Sequence, residues 1–513
     1  MTTDVVIAGA GPNGLMLACE LSLAGIKPLV LERLPERTSQ HRANGLVGQV
    51  VRMLDRRGLY QRLNGNTVPP QPIPAFAFGA MRLDLEALDD NPMYALGVPQ
   101  RRIEQVLEER AVELGAEIRR GHELVGLAQD TDSVTIDVIG PDGPHRLRVR
   151  YLVGADGGHS PTRKLSGIGF PGATTDGVVS RLAHVTVPPS LVDPATLGLN
   201  VPGYGLVPPF IHHRTERGVL AYAPFPGKAP LVSTMEWNAE PADQAMTVND
   251  LRESASRVLG TDLALGPPEG DGPHQLRRLT SSNTRLADRF RDRRVLLVGD
   301  AAHVHSAIGG PGLNLGLQDA VNLGWKLAAE LRGWAPTGLL DSYETERRTV
   351  ARRVVMHTRA QSALLSPGDE ITALRDLFGE ILQEPRNVQH IADMMSGADV
   401  RYEMGTGDEH PLVGRWAPDL RLDTIDGSVR LAELTAGASP LLVDTTGSLG
   451  DALSGWRDRV QIVTGRADTS TTAMLLRPDG YTAWASNAAR PDTRSLRQAL
   501  TAWFGAATAE VSA

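Results

Sequence analysis

"DVVIAGAGPNG", residues 4–14, decides how the chain begins to fold. A short β-rich apolar run is followed by glycines spaced Gly-X-Gly-X-X-Gly, at Gly9, Gly11 and Gly14. The next segment, LMLACELSLAGI, has the apolar spacing of a helix and reaches a stop at Gly25. A strand, a glycine-rich turn and a helix in this order predict a βαβ unit in which backbone can approach a pyrophosphate.

The second strand of this unit lies within PLVLER, residues 28–33, and ends on an acidic residue, Glu32. A carboxylate about 20 residues after the glycines is placed to accept hydrogen bonds from a ribose hydroxyl. Its negative charge favours an adenosine ribose without a 2′-phosphate, as in NAD or FAD. The motif alone does not choose between those two cofactors.

Composition limits the classes of protein that remain. The 513 residues predict two or three domains, and 52 basic against 60 acidic residues give a net charge of −8, so no nucleic-acid partner is expected. Cys19 is the single cysteine, so intramolecular disulfides and cysteine–zinc clusters are excluded. We expect a cytoplasmic protein with no membrane association, because the N-terminus lacks a basic leader and no apolar run approaches roughly 20 residues.

Two later segments of the sequence narrow the choice between NAD and FAD. Asp156 follows the apolar run that begins at Tyr151, and Asp300 follows RVLLVG, so each acidic residue ends a predicted strand. The loop after Asp300 is rich in glycine at 309–312 and leads into a helix that begins near Asn314. A helix N-terminus carries about half a positive charge, which would stabilise the anion at the N1–O2 edge of a reduced flavin. This loop therefore favours FAD over NAD.

These three elements together resemble the group A flavin monooxygenases, the para-hydroxybenzoate hydroxylase class. The similarity continues through LVLERLPERTSQHRANGL, through VPQRRIEQVLEERAVELGAEIRRGHEL, and through the helices GLQDAVNLGWKLA and LLDSYETERRTVA. The last two are similar to the branch that oxidises aromatic polyketides and related antibiotics such as rifamycins.

The resemblance implies an α/β fold with a Rossmann-like FAD-binding domain of the glutathione-reductase type. We expect that domain at 1–172 and 284–395, a β-sheet substrate domain at 173–283 with a contribution from 66–98, and a thioredoxin-like C-terminal domain at 400–513. The last domain has no cysteine, so dithiol chemistry is excluded and a packing or oligomerisation role is expected.

The resemblance also implies the site residues. Besides Gly9, Gly11 and Gly14, the FAD contacts carried over by position are Asn13, Glu32, Arg33, Arg42, Gln100, Leu124, Asp156, Asp300, Gly312, Leu313 and Asn314. Asp156 belongs to a motif that supports both FAD and pyridine-nucleotide binding.

The implied reaction consumes NADPH or NADH and O2. A flavin C4a-hydroperoxide delivers oxygen to an electron-rich carbon, and the protein orients the substrate and excludes water. We expect hydroxylation of a polycyclic aromatic, polyketide-type substrate by a monomer or homodimer. Baeyer–Villiger or antibiotic-inactivating oxygenation by the same chemistry is the alternative, and a non-oxygenating flavin-binding reductase or interaction module is a third.

No conventional catalytic pair stands out in the sequence. The loop predicted to face the flavin contains Ser306, Ala307, Gly310 and Pro311. Relatives usually carry proline at one or both positions matching Ser306 and Ala307, so this chain has additional backbone donors there. His303 and His305 form a poor metal pattern; no metal is expected, and packing or hydrogen bonding is preferred for both.

Aromatic side chains are the candidates for a substrate pocket. Aromatic residues make up only 4% of the chain, and several of them fall in the predicted middle domain. They are expected either in the wall of the pocket or in the core of the strands, where aromatic residues often pack. The candidates are Phe76, Phe78, Tyr204, Phe210, Tyr222, Phe225 and Trp237.

Overall fold

A computed structural model describes residues 3–38, 44–225, 227–239, 244–270, 272, 274–405 and 410–508, and Arg42 lies outside these ranges. The strands are β1 (Val5–Ala8), β2 (Leu29–Glu32), β3 (Leu46–Val47), β4 (Ala75–Phe78), β5 (Met81–Asp84), β6 (Ala95–Leu96), β7 (Glu117–Arg120), β8 (Glu123–Gln129), β9 (Val134–Gly140), β10 (Gly143–Val149), β11 (Tyr151–Gly154), β12 (Gly172–His184), β13 (Leu199–Val201), β14 (Gly205–Val207), β15 (His212–Thr215), β16 (Gly218–Ala223), β17 (Leu231–Trp237), β18 (Leu276–Leu286), β19 (Arg291–Asp292), β20 (Val295–Leu297), β21 (His303–Val304), β22 (Arg421–Thr424), β23 (Gly427–Arg430), β24 (Leu441–Asp444), β25 (Gln461–Thr464), β26 (Ala473–Leu476) and β27 (Thr482–Ser486). The helices are α1 (Pro12–Leu23), α2 (Gln49–Asp55), α3 (Leu59–Asn64), α4 (Gln100–Glu113), α5 (Pro161–Leu165), α6 (Val248–Leu259), α7 (Pro311–Arg332), α8 (Ser342–Leu365), α9 (Asp369–Ile381), α10 (Pro385–Ser396), α11 (Leu431–Leu434) and α12 (Thr493–Phe504).

The N-terminal motif folds as the predicted βαβ unit. β1 lies inside a sheet of order β19-β20-β11-β1-β2-β7 and pairs in parallel with both β2 and β11. All four residues of β1 are buried, as a parallel strand covered on both faces requires. Helices α1, α4 and α7 pack on one face, and the antiparallel sheet β10-β9-β8 covers the other through Leu124 and Val138.

Helix α1 is held between α4 and α7, and Cys19 lies in this interface. Its thiol is 1% exposed and donates to the Leu107 carbonyl at 3.4 Å. Burial, with a smaller contribution from Glu20, raises the pKa of the thiol well above its ordinary value of 9.0. Cys19 is therefore a protonated core side chain.

A second sheet, which we name the roof sheet, has the order β15-β16-β17-β12-β18-β21. Helix α6 covers one face through Leu251 and Val258, and Tyr222 of β16 packs on that side. The opposite face contains Val219 and Met235, which pack with Ile308 of the loop that follows β21. The roof sheet therefore has one face towards α6 and one towards the loop after Asp300.

The hairpin β4–β5 is hydrogen-bonded only within itself among the described strands and packs on α8, α9 and α10. After residue 410 the chain forms a sheet of order β25-β24-β26-β27, in which β24 is parallel to β25 and antiparallel to β26. Trp325 of α7 belongs to the same core as this last sheet and α12, so the C-terminal region is packed firmly on the rest of the chain. The exact domain boundaries stay a prediction.

A buried ionic cluster joins the C-terminal region to α7 and α8. Both terminal nitrogens of Arg477 donate hydrogen bonds to the Glu346 carboxylate, at 2.7 and 2.8 Å. Lys326 Nζ lies 2.8 Å from the same carboxylate. Asp479 bonds the remaining side of the Arg477 guanidinium, and Asn322 bridges Lys326 and Glu346. Because each charge is paired and hydrogen-bonded, the cluster tolerates burial, but removing one member would leave the others uncompensated.

None of the helices in the described ranges is both long and apolar enough to cross a bilayer.

Replacing Glu346 with glutamine is expected to destabilise the protein strongly. Arg477 and Lys326 would keep their charges in a buried site, and breaking a buried pair in this way costs about 3–5 kcal/mol. Thermal unfolding followed by circular dichroism should show a midpoint lowered by several degrees. The control is Arg252→Gln, which removes an exposed pair with Asp262 and should leave the midpoint unchanged. Equal midpoints for E346Q and wild type would contradict this account.

Lowering the pH should remove the contribution of Glu346 to the free energy of unfolding. Burial alone would raise the pKa of this carboxyl, but Arg477 and Lys326 outweigh burial and lower it from 4.5 to about 2. The unfolded carboxyl takes up its proton first, so the stabilisation is present above pH 4.5 and is lost as pH falls towards 2. The difference in unfolding midpoint between wild type and E346Q should therefore narrow across that interval, and a constant difference would refute the assignment.

Candidate active site

A cavity of about 1280 Å³ opens at the carboxyl ends of β1, β2, β11 and β20. This is the edge at which open α/β sheets bind ligands, and the volume exceeds that of most single-ligand pockets. The cavity brings together most of the residues expected at a cofactor. Those that line it are Gly9, Gly11, Asn13, Glu32, Arg33, Gln100, Leu124, Asp156, Asp300, Ser306, Ala307, Gly310, Gly312 and Leu313.

The first helix N-terminus faces this cavity without a side-chain cap. Gly11 is the N-cap residue of α1, and Pro12 takes the first helical position, where no N–H is needed. A Cβ placed on Gly11 would meet no protein atom within 4 Å, whereas a Cβ on Gly14 would lie 2.1 Å from the Gly9 carbonyl. Gly14 is thus required for packing beneath the cavity, and Gly11 leaves room inside it. Free N–H groups at such an end bind anions.

Asn13 connects the glycine turn at residues 9–14 with the loop and helix around Asp300 and α7. Its amide lies against Gly299 and Gly316, where an added Cβ would come within 1.9 and 2.4 Å of the Asn13 Nδ2 atom. Its buried Oδ1 atom has no hydrogen-bond partner among the described residues. A hydrogen-bond donor on a ligand in the cavity would supply that missing partner.

Glu32 ends β2 at the cavity wall. Its Oε2 accepts the N–H of Ala10 at 2.9 Å, and its Oε1 accepts the N–H of Leu34 at 2.9 Å. These bonds fix the carboxylate beside the glycine turn, and each oxygen retains a further lone pair. The carboxylate can therefore accept further hydrogen bonds from a ligand in the cavity, and its contact with a ribose stays a prediction.

Asp156 organises the second motif. Its carboxylate accepts bonds from the Ser160 hydroxyl at 2.5 Å and from the Thr162 N–H at 2.9 Å, so it stabilises the start of α5. Arg163, which is buried, donates to the carbonyls of Gly158 and Ala301 at 3.0 and 2.9 Å. The second motif is thereby fastened to the Asp300 loop, a connection that sequence reasoning did not identify.

The N-terminus of α7 supplies a second uncapped helix end. Gly310, with φ of 70°, is its N-cap, and Pro311 occupies the first position. Asn314 does not line the large cavity; its Oδ1 accepts from Val47 and its Nδ2 donates to the Gly310 carbonyl at 2.9 Å. Asn314 thus shapes the loop from behind. Pro311 lines a smaller adjoining cavity.

The two loop histidines differ in environment. His303 is fully buried, with Nε2 2.6 Å from Asp319, whose other oxygen accepts from Arg347 at 2.7 Å. His305 lines the cavity, and its Nδ1 lies 2.9 Å from the Ser306 carbonyl. Burial, with a smaller effect of His303, lowers the pKa of His305 to about 4. His305 is therefore uncharged at neutral pH.

Several cavity residues had no sequence signal of their own. Glu104 lies on α4 one turn after Gln100, whose Nε2 donates to its carboxylate at 2.7 Å. Asn44, Gly45 and Lys164 also line the cavity. Spacing on α4 could have paired Glu104 with Gln100, but the loop residues required the tertiary structure.

The residues present fit FAD. Two uncapped helix ends can take the pyrophosphate and the pyrimidine edge of the ring, the open Gly11 leaves space for backbone approach, and Glu32 can take the ribose. Within the described part of the chain, no group of three or more His, Cys, Asp or Glu side chains could hold a metal ion.

A family model described as the FAD binding domain matches residues 2–358. A second, the C-terminal part of aromatic-ring hydroxylases, matches residues 410–507. The chain belongs to the FAD-dependent aromatic monooxygenases. The family resemblance drawn from the sequence is therefore confirmed, as is the dependence on FAD.

Relatives of this monooxygenase match along its whole length. A Streptomyces rimosus protein named 12-dehydrotetracycline 5-monooxygenase/anhydrotetracycline 6-monooxygenase is 42% identical, covering 98% of this chain and 99% of its own. A rifampicin monooxygenase from Streptomyces venezuelae is 40% identical and covers 99% of both. The solved structure of OxyS anhydrotetracycline hydroxylase from Streptomyces rimosus superposes with a TM-score of 0.86 at 40% identity, covering 99% of this chain and 100% of that one.

The aromatic candidates for a substrate wall occupy different places in this monooxygenase. Phe76 lines the cavity, and Trp237 packs on the Ile308 cluster. Phe78 and Tyr222 lie in cores away from the cavity, Phe78 under α8 and Tyr222 under α6. The others lie at the margin of the roof sheet: Tyr204 and Phe210 are exposed, and the Phe225 ring packs against Phe210 at 5.5 Å.

Replacing Gly11 with alanine should weaken FAD binding without disturbing the fold. The backbone φ of −74° suits alanine, and the new methyl group would enter the cavity instead of the protein. We expect the Kd for FAD to rise about tenfold or more, which corresponds to about 1.4 kcal/mol. Titration of FAD fluorescence measures the Kd, and the unfolding midpoint of the apoprotein should stay unchanged. Gly450→Ala, at an open glycine outside the cavity, is the control, and unaltered FAD affinity in G11A would reject the placement of the pyrophosphate.

Proposed function

We propose that this monooxygenase hydroxylates a large polycyclic phenol of the aromatic polyketide type. The whole-length similarity to an anhydrotetracycline monooxygenase carries the proposal, because it extends through the roof sheet and the flavin-facing loop (residues 306–311) as well as the cofactor motifs. We further propose a cytoplasmic monomer or homodimer that uses NADPH or NADH.

The space available supports a bulky substrate. The cavity continues from the glycine turn to Phe76 and to Ser306 and Ala307, so it reaches beyond the nucleotide motifs. Above the loop, the roof sheet presents half-buried side chains, among them Met235 and Trp237. A flat polycyclic ring could lie beside the contact of this face with the loop, in the part of the cavity lined by Phe76, Ser306 and Ala307.

The protein supplies binding, orientation and exclusion of water. Bound FAD supplies the redox chemistry, taking a hydride from a nicotinamide and activating O2. Glu32 and the α1 N-terminus would hold the adenosine and pyrophosphate, Asp300 the ribityl hydroxyls, and the α7 N-terminus the pyrimidine edge of the ring. His305, uncharged at neutral pH, brings no competing positive charge to that edge. The remaining contacts proposed for FAD are Arg33, Arg42, Gln100, Leu124 and Leu313.

A second candidate is oxygenation that inactivates an antibiotic of the rifamycin class. The 40% identity to a rifampicin monooxygenase over nearly the whole chain favours it, and the cofactor residues would serve both reactions equally. The difference would lie in the substrate wall and in Ser306 and Ala307, where the loop offers a hydroxyl and backbone donors.

The proposal predicts substrate-stimulated consumption of NADPH. The purified protein should be yellow with FAD, and an anhydrotetracycline-type phenol should accelerate NADPH oxidation and yield a product heavier by one oxygen atom, read by mass spectrometry with ¹⁸O2. Rifampicin is tested in parallel. If rifampicin gains an oxygen atom and the phenol does not, the result supports the second candidate. NADPH oxidation without oxygen incorporation into either compound would reject both and favour a non-oxygenating flavoprotein.

A further inference from the structure

A strained hairpin tip lies between the roof sheet and the flavin-facing loop. Strands β4 and β5 are joined by Gly79 and Ala80, with φ of 55° and 61°. Such two-residue turns require positive φ at both positions, and a non-glycine residue there costs roughly 1 kcal/mol. Surrounding contacts must therefore hold Ala80 in place.

The tip contacts both walls of the proposed substrate space. Ala80 packs on a small cluster formed by Val219 of the roof sheet, Ile308 of the flavin-facing loop and Leu365 at the end of α8. Phe76, on the same hairpin, lines the large cavity. A shift of the tip would therefore move one cavity residue and change the spacing between the roof sheet and the loop.

Two helices hold the tip from behind. Gln361 of α8 accepts the Gly79 N–H through Oε1 at 3.4 Å. Arg375 of α9 donates to the carbonyls of Gly79 and Ala80, the latter at 3.3 Å, and to Leu364 at 2.9 Å. A Cβ on Gly79 would come within 2.8 Å of Leu364 Cβ, so the tip lies directly on α8.

Neighbouring groups fix the orientation of the Gln361 amide. Since Oε1 takes the Gly79 N–H, Nε2 must donate to His357 Nδ1, which lies 3.3 Å away. His357 can accept because it is neutral: burial, and to a lesser extent Arg353, lowers its pKa to about 4. The same amide lies against the flavin-facing loop, because a Cβ on Gly309 would be 3.0 Å from Nε2.

We propose that Gln361, outside the large cavity and almost fully buried, is a positioning residue that sets the distance between the flavin-facing loop and the roof sheet. It joins the tip at Gly79, the loop at Gly309 and the body of α8 through His357. This role rests on the proposed function, since the space that it sets is the one assigned to the phenol. Gln361 thereby controls how tightly substrate is held and how much of the NADPH consumed ends in hydroxylated product.

The test compares Gln361→Met, which keeps the volume but loses both hydrogen bonds, with Gln361→Glu, which keeps an acceptor for the Gly79 N–H. Arg359→Gln changes an exposed residue of the same helix and is the control. Hydrogen exchange of the apoprotein should show faster exchange at Gly79–Ala80 and at 306–311 in Q361M, with Q361E closer to wild type and R359Q unchanged. This readout is independent of turnover, so it stands even if the phenol proves not to be the substrate.

In the loaded enzyme, Q361M should raise the KM for the phenol and lower product formed per NADPH, each at least about threefold, with Q361E intermediate. The Kd for FAD should stay within about twofold of wild type, because the pyrophosphate and ribose contacts are remote from Gln361. Arg375→Met loosens the same tip from α9, and it takes the place of Q361M if that variant does not fold. Unchanged exchange at the tip, unchanged coupling, or an equal loss in R359Q would each overturn the proposal.

Discussion

Backbone contact without intervening side chains joins β1 to α1, and the cavity depends on it. A Cβ on Gly9 would lie 2.5 Å from the Ala155 carbonyl, and one on Gly14 would lie 2.1 Å from the Gly9 carbonyl. The glycine turn is therefore enclosed between its own helix and the end of β11. This contact brings the α1 N-terminus to the sheet edge where β2 and β11 also end, so Glu32 and Asp156 reach the same cavity.

What the sequence predicted well depends on local spacing. Gly9, Asp156 and Asp300 each follow an apolar strand, and Glu32 ends one. Parallel strands place their carboxyl ends together, so the meeting of these residues in one cavity could be predicted. The face on which Tyr222 lies could not, because a shift of one residue in register turns a strand side chain to the other face. The family and the cofactor could be predicted from the sequence for the same reason, because short motifs in a fixed order identify both.

Long-range contacts were beyond sequence reasoning. Glu346 and Arg477 are 131 residues apart, and nothing in either segment indicates that they share a buried site. The position of the hairpin tip on α8 likewise depends on how separate elements pack. Neither contact lines the cavity: one connects the C-terminal region to α7 and α8, and the other connects the hairpin tip to α8, whose Gln361 also lies against Gly309 of the flavin-facing loop. Helices α7 and α8 therefore form the shared support of the cofactor cavity and the C-terminal sheet.

The burial of Cys19 has a consequence for spectroscopy. The thiol is 1% exposed and stays protonated, so it lacks both the access and the thiolate that alkylating reagents need. Since the chain has no other cysteine, the native protein should not react with thiol-directed dyes or spin labels. A cysteine introduced at any exposed position would be labelled alone, and a pair of them would report distances between the roof sheet and the rest of the molecule with no background from the natural sequence.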